Sequence, residues 1–186
     1  MHLTAAFQTP PLDSARAFRQ VLDSMARPGR IVTLDRVAAP APCSPAAAAA
    51  VLTLVDGTTP LHLAGAHAGA SIQDWLRFHV SADLVERHMA AFALGTWEAL
   101  GPLSHYPQGS AEYPDRSATL IVECAELRAE GARLAGPGIE TEAWLSLPDV
   151  AALQENAARF PRGLDLIFTC GAQLAALPRS TQIGGR

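Results

Sequence analysis

The chain has 186 residues, 49% of them hydrophobic and 17% charged, and a net charge of −4. That length holds one domain with a proper core, and that balance excludes an intrinsically disordered chain. With no run of basic residues, the acidic balance also argues against a general nucleic-acid partner.

In chain order, Asp13 or Ser14 is placed to cap a first helix that presents Phe18, Val21, Leu22 and Met25 on one apolar face. Pro28-Gly29 ends it, and residues 30–34 read as a short strand. Residues 38–45 are loop-like, and Ser44-Pro45 opens a second helix through the alanine run to about Val55. Residues 61–63 suit a strand, Ser71 caps a short helix through Trp75, Leu76 and Phe78, and Ser81 or Asp83 begins another carrying Leu84, Val85 and Met89. Residues 91–94 suit a short buried strand. Residues 101–116, rich in Pro, Gly and Ser, read as an exposed, mobile loop. The run 118–122 is nearly continuously apolar and 164–168 is apolar but for Asp165, as strands covered on both faces are. Between them lie Arg133-Leu134-Ala135 leading into Gly136-Pro137-Gly138, a strand candidate at 143–147 and a helix from Pro148-Asp149 to about Ala158. Short extended pieces at 174–177 and 180–183 precede an end at 184–186 expected to fray. Strands alternating with helices predict an α/β or mixed three-layer fold, as one domain over residues 1–186.

All 14 basic residues are arginine. A chain without lysine cannot form an internal aldimine with pyridoxal phosphate or build a Walker-type phosphate loop, so arginines, hydroxyls or backbone N–H groups must hold any anion. Cys43, Cys124 and Cys170 are odd in number and far apart, which predicts buried, reduced thiols rather than a disulfide framework or zinc ribbon. Met1-His2-Leu3-Thr4 shows no basic region with an apolar stretch behind it, so no signal peptide is expected. The longest apolar-rich stretch, 45–55, is half of the ~20 residues a membrane span needs, and a cytoplasmic protein is expected.

The candidate site residues sit in four short turns: Ala26-Arg27-Pro28-Gly29, Gly136-Pro137-Gly138-Ile139, Phe160-Pro161-Arg162-Gly163-Leu164-Asp165 and Leu177-Pro178-Arg179-Ser180-Thr181. Arg27 suits either the helix dipole or an anion or partner anchor. Arg179 with Ser180 and Thr181 suits either a phosphate grip or a strand end. Gly136-Pro137-Gly138 suits either an anion nest or a tight turn. Asp165, a carboxylate inside an apolar strand, requires a partner, Arg162, Arg27 or Arg179, and suits either a structural ion pair or a general base. His62, His79, His88 and His105 are scattered without metal-ligand spacing, and neither a nucleophile elbow nor a dinucleotide fingerprint occurs.

These turns, with Leu54-Val55-Asp56-Gly57-Thr58-Thr59-Pro60-Leu61 and Leu76-Arg77-Phe78-His79, resemble the PhnH family of the bacterial carbon–phosphorus lyase system, over nearly the whole chain. The chain departs from that family's pattern at Thr58, where an acidic residue is expected, and at Val80-Ser81, where Thr-Gly is usual. The resemblance implies a mostly parallel sheet like that of the large domain of type I pyridoxal-phosphate transferases, without the cofactor. It implies a homodimer alone and, in the cell, a core complex with PhnG, PhnI and PhnJ. With PhnL, that complex transfers the ribose triphosphate of ATP onto methylphosphonate. It supplies no catalytic residue for this subunit, and the reading of the turns leaves Arg27, Arg162, Asp165, Arg179 and Thr181 as the residues for substrate or partner contact. The alternative from the residues alone is a stand-alone, arginine-based binder of phosphate or nucleotide.

Overall fold

A computed structural model describes residues 6–184. Residues 1–4, read above for the absence of a leader, and residues 185–186, expected to fray, lie outside them. The main sheet has seven strands: β1 (Val32–Thr33), β2 (Pro60–Leu63), β3 (Asp83–Leu84), β4 (Phe92–Thr96), β5 (Thr119–Glu123), β8 (Asp165–Cys170) and β9 (Gln173–Leu177). Its order is β1-β9-β8-β5-β4-β2-β3. The five strands from β8 to β3 pair in parallel, and β9 runs antiparallel to both β8 and β1. A second sheet, β10-β6-β7, is antiparallel and joins β6 (Ala132–Ala135), β7 (Ala143–Leu145) and β10 (Gln182–Gly184). The mostly parallel α/β expectation therefore holds, with the 143–147 and 180–183 segments placed in this second sheet. Gly184, expected to fray, pairs with Arg133 there.

Apart from the half-buried Thr119 and Asp165, the runs 118–122 and 164–168 are buried on both faces, as their near-continuous apolarity requires. Ile121 and Ile167 enter a core shared with α1 (Pro10–Ala26), α2 (Pro45–Leu54) and α3 (Ala70–Val80). Leu120, Val122, Leu166 and Phe168 enter the opposite core, with Leu134 and Leu145 of the second sheet, Leu100 of the one-turn α4 (Trp97–Leu100) and Leu153 of α5 (Val150–Ala157). No helix among the described residues is long and apolar enough to cross a membrane.

Several expected elements differ. Helix α1 begins at Pro10. Asp13 is not its cap but lies in its first turn, where its carboxylate accepts the Thr9 backbone N–H at 2.8 Å. This is the returning half of a capping box. Its buried face is Asp13, Ala17, Val21 and Ser24, so Phe18 (50% exposed) and Leu22 (56%) point to solvent. Small residues face inward because α1 packs closely on the alanine-rich α2, which leaves no room for Phe18. Helix α3 starts at Ala70, one residue before Ser71, and Gly69 rather than Ser71 occupies its cap position. No helix follows Ser81. Asp83 and Leu84 pair with Pro60 and Leu61, and only a 3₁₀ turn, Arg87–Met89, remains. Ser81 itself ends α3 at φ 53°, a left-handed conformation that glycine adopts without strain. Of residues 30–34 only Val32–Thr33 pair as a strand.

The loop 101–116 is not a free, exposed loop. Tyr106 is buried and donates its hydroxyl to the Leu100 carbonyl at 2.9 Å, and burial raises its phenol pKa. Gln108 donates to the carbonyls of Leu103 and Tyr106 and bridges to Ser117, and Arg116 lies over the Tyr113 ring at 4.1 Å.

Cys43 is buried beside α2, whereas Cys124 and Cys170 are partly exposed, unlike the expectation that all three thiols are buried. Burial, with the Glu123 carboxylate nearby, pushes the Cys43 thiol up to about 12. An unfolded thiol ionises near pH 8.5. The folded, neutral thiol therefore contributes stability that is complete below that pH and is lost as pH rises toward 12. The slope is about 1.4 kcal/mol per pH unit, so roughly 2 kcal/mol disappears between about pH 9 and 10.5. With no lysine titrating there, urea unfolding of wild type against Cys43→Ala isolates this term. Equal alkaline slopes for the two proteins would contradict it.

Candidate functional site

The four turns converge at one end of the main sheet. A cleft of about 530 Å³ is lined by Met25 and Ala26, by Pro137 and Gly138, by Phe160, Pro161 and Asp165, and by Pro178, Arg179 and Ser180, with Pro114 and Asp115 at its side. One member of every turn is present. The approach is close because of glycine. Gly138 has φ +83°, and a Cβ there would lie 2.0 Å from the Ala26 carbonyl oxygen. Gly29, at φ +88°, likewise rests against Ala143. Asn156, buried in α5, holds the third turn by a reciprocal pair: its amide donates to the Leu164 carbonyl and its oxygen accepts the Leu164 N–H, both at 2.8 Å.

Asp165 and Arg179 meet at the cleft. The carboxylate accepts the Arg179 Nε–H at 3.1 Å, its Nη2–H at 2.5 Å and its backbone N–H at 2.9 Å. The remaining Nη1 donates to the Pro114 carbonyl. The pair is 17% and 14% exposed. Among the three arginines proposed for Asp165, Arg179 is therefore its partner. Its guanidinium is committed to joining β8, the end of β9 and the 101–116 segment.

The other proposed residues flank the cleft without lining it. Arg27 is exposed and paired with Asp23, which also meets Arg30 at 2.9 Å. Arg162 is exposed on the third turn, and Thr181 is buried with its hydroxyl free of hydrogen bonds among the described residues. At the Asp56 turn, Thr58 and Thr59 supply hydroxyls at 2.8 Å, with the Thr58 N–H also at 2.8 Å, and these donors hold the Asp56 carboxyl below its ordinary pKa.

Asp165 begins β8 and Pro114 precedes β5, so the turn cluster lies at the amino ends of the parallel strands. Open α/β sheets bind ligands at the opposite, carboxyl ends, near the point where strand order reverses. Here that point lies between β2 and β4. At the carboxyl edge Glu123 is 11% exposed. It accepts the Ser44 N–H at the start of α2 at 2.7 Å and the Thr169 hydroxyl at 3.0 Å, with the buried His67 Nε2 3.8 Å away. The chain's own carboxylate thus occupies the helix N-terminus where an anionic ligand would sit. Neither Glu123 nor Asn156 was selected by sequence reasoning. Glu123 closes an apolar strand, and Asn156 lies mid-helix, where its clamp on Leu164 exists only once α5 packs beside β8.

The fold and site define a three-layer α/β protein whose distinguishing surface is a cleft of proline and glycine turns. A family model described as bacterial phosphonate metabolism protein (PhnH) matches residues 5–184. The chain is 37% identical over 191 residues to the alpha-D-ribose 1-methylphosphonate 5-triphosphate synthase subunit PhnH of Rhizobium meliloti (strain 1021), covering 97% of this chain and 94% of that protein. It is 35% identical over 179 residues to a Stutzerimonas stutzeri protein provisionally named C-P lyase subunit protein HtxG, covering 90% and 84%. The chain belongs to the PhnH family.

Proposed function

We propose that this chain is the PhnH-type subunit of a carbon–phosphorus lyase assembly. It supports the formation of alpha-D-ribose 1-methylphosphonate 5-triphosphate from ATP and methylphosphonate in phosphonate catabolism. The 37% identity to the Rhizobium synthase subunit, across nearly both whole chains, carries this reading. In it, residues 1–186 act as one cytoplasmic domain of the fold of the pyridoxal-phosphate transferases, without that cofactor, because no lysine exists to anchor it.

The cleft and the stripe leading to it are the docking surface. Phe18, Leu22 and Met25 share one face of α1, at i, i+4 and i+7, and Met25 lines the cleft. Phe160 stands 61% exposed on its wall. An apolar stripe half open to water, running into an apolar cleft, suits burial against another protein. A second copy covers it in the isolated protein, through an interface on the order of 1,600 Å² or more. In the assembly with PhnG, PhnI and PhnJ, a PhnJ-like subunit takes that place. Arg27 and Arg162 at the rim supply charged contacts, with Asp165, Arg179 and Thr181 holding the turns that present them. The chemistry then resides in the partners. A stand-alone phosphate binder fits less well, since Arg179 is already committed to Asp165 and Pro114.

Co-expression with the three partner subunits tests the reading. The expected result is a stoichiometric complex, a dimer when the chain is purified alone, and no release of adenine from ATP by the isolated chain. A monomer that fails to join the other subunits, or steady turnover by the pure protein, would sink it.

A further inference from the structure

The three cysteines were expected to be unrelated thiols, yet two of them meet at the carboxyl edge of the sheet. Strands β5 and β8 pair in parallel with Glu123 opposite Thr169. The ladder runs one step further, because the Cys124 N–H donates to the Thr169 carbonyl at 2.8 Å. Cys124 therefore stands opposite Cys170. Neighbouring strands are about 4.8 Å apart, within the roughly 4.4–6.8 Å that a disulfide spans between Cα atoms.

Their side chains also share a face. Glu123 and Thr169 turn to one side of the sheet, where they hydrogen-bond each other. Cys124 and Cys170, the next residue on each strand, turn to the other side. Both pack against the core that holds Leu120 and Phe168, while Cys43 packs in the core on the helical side. The Cys170 thiol reaches toward the Ala125 carbonyl, just past Cys124, at 3.4 Å. Access is open as well, since Cys124 lines a cleft of about 330 Å³ between Trp97 and Leu147.

We propose that Cys124 and Cys170 form a reversible intrachain disulfide that ties β5 to β8, making this edge an oxidation-sensitive modification site. A low-molecular-weight disulfide such as glutathione disulfide is the oxidant. One protein thiolate attacks a glutathione sulfur, forms a mixed disulfide and releases one reduced glutathione. The second protein thiolate then attacks the mixed disulfide at the protein sulfur and releases the other glutathione. Two thiols are oxidised and one disulfide is reduced, with the two thiol protons ending on the released glutathiones.

Cys170 is the attacking thiol and Cys124 closes the ring. Burial, then the neighbouring Cys170, Glu123 of the same strand and Glu98 beyond β4, push the Cys124 thiol up to about 12. Its thiolate is scarce at neutral pH, so closure is the slow step and quickens as pH rises from 7 to 9.

The test oxidises the full chain with glutathione disulfide, blocks remaining thiols with N-ethylmaleimide after denaturation, and maps unreduced tryptic peptides by mass spectrometry. The expected product carries one maleimide, on Cys43, and links peptide 117–128 to peptide 163–179. Dithiothreitol restores three reactive thiols. Cys43→Ala keeps the link, and Cys124→Ala stops at glutathione on Cys170. Three maleimides after oxidation, glutathione left on wild-type Cys170 as the end product, or a link that includes Cys43 would each overturn the proposal. The wild-type result decides it even if a variant folds poorly.

Discussion

Asp165→Ala lowers the unfolding free energy by about 3 kcal/mol, the low end of the roughly 3–5 kcal/mol lost when one partner of a buried ion pair is removed. The alanine leaves Arg179 at 14% exposure without its counter-ion and leaves its backbone N–H without the 2.9 Å acceptor. The low end applies because the pair borders an open cleft. For a chain of this length the loss corresponds to a fall in Tm of roughly 6–12 °C. Asp165→Ala with Arg179→Met restores part of it, since an apolar pair of similar volume no longer strands a charge. Thermal and urea unfolding of the two variants measure both effects. A loss under about 1 kcal/mol would make the pair energetically equivalent to an exposed salt bridge.

Gly138→Ala costs about 3 kcal/mol and moves one wall of the cleft. At φ +83° an L-residue loses about 1–2 kcal/mol by conformation alone. The added Cβ would also lie 2.0 Å from the Ala26 carbonyl oxygen, which belongs to the last residue of α1 and cannot yield as a flexible side chain would. Forced backbone movement of that kind costs roughly another 1–3 kcal/mol. Gly171→Ala is the control. Its φ is +56°, but nothing lies within 4 Å of the new Cβ, so only the conformational cost remains. Because Gly138 sets the distance between the second turn and α1, its alanine variant should also lose complex formation with the partner subunits, while Gly171→Ala keeps it. Equal stability losses at the two glycines would show that the close approach to Ala26 is unimportant.

Much of this molecule was legible in the residues. Nearly continuous apolar runs marked β5 and β8 as strands covered on both faces, and their central residues are buried on both sides of the sheet. Asp165 announced a partner, since an ionised group in an apolar strand requires one. The turns announced a fixed local geometry through proline and glycine, and the absence of lysine excluded whole chemistries. The face of α1 was legible only in part, since Val21 turns into the core while Phe18 and Leu22 stay exposed. Phe18, Leu22 and Met25 do form an apolar stripe, but periodicity reports that a helix has such a stripe and not which side of it meets the core.

Residue types and their order were enough to give the class of fold, the family, and the need of Asp165 for a cation. Packing chose which arginine answers it, brought all four turns to one cleft at the amino edge of the sheet, set Glu123 at the start of α2 and stood Cys124 opposite Cys170. Composition and spacing act along the chain, whereas these contacts join residues 14 or more positions apart. They arise only when parallel pairing sets the register of β5 against β8 and the small residues of α1 settle on α2.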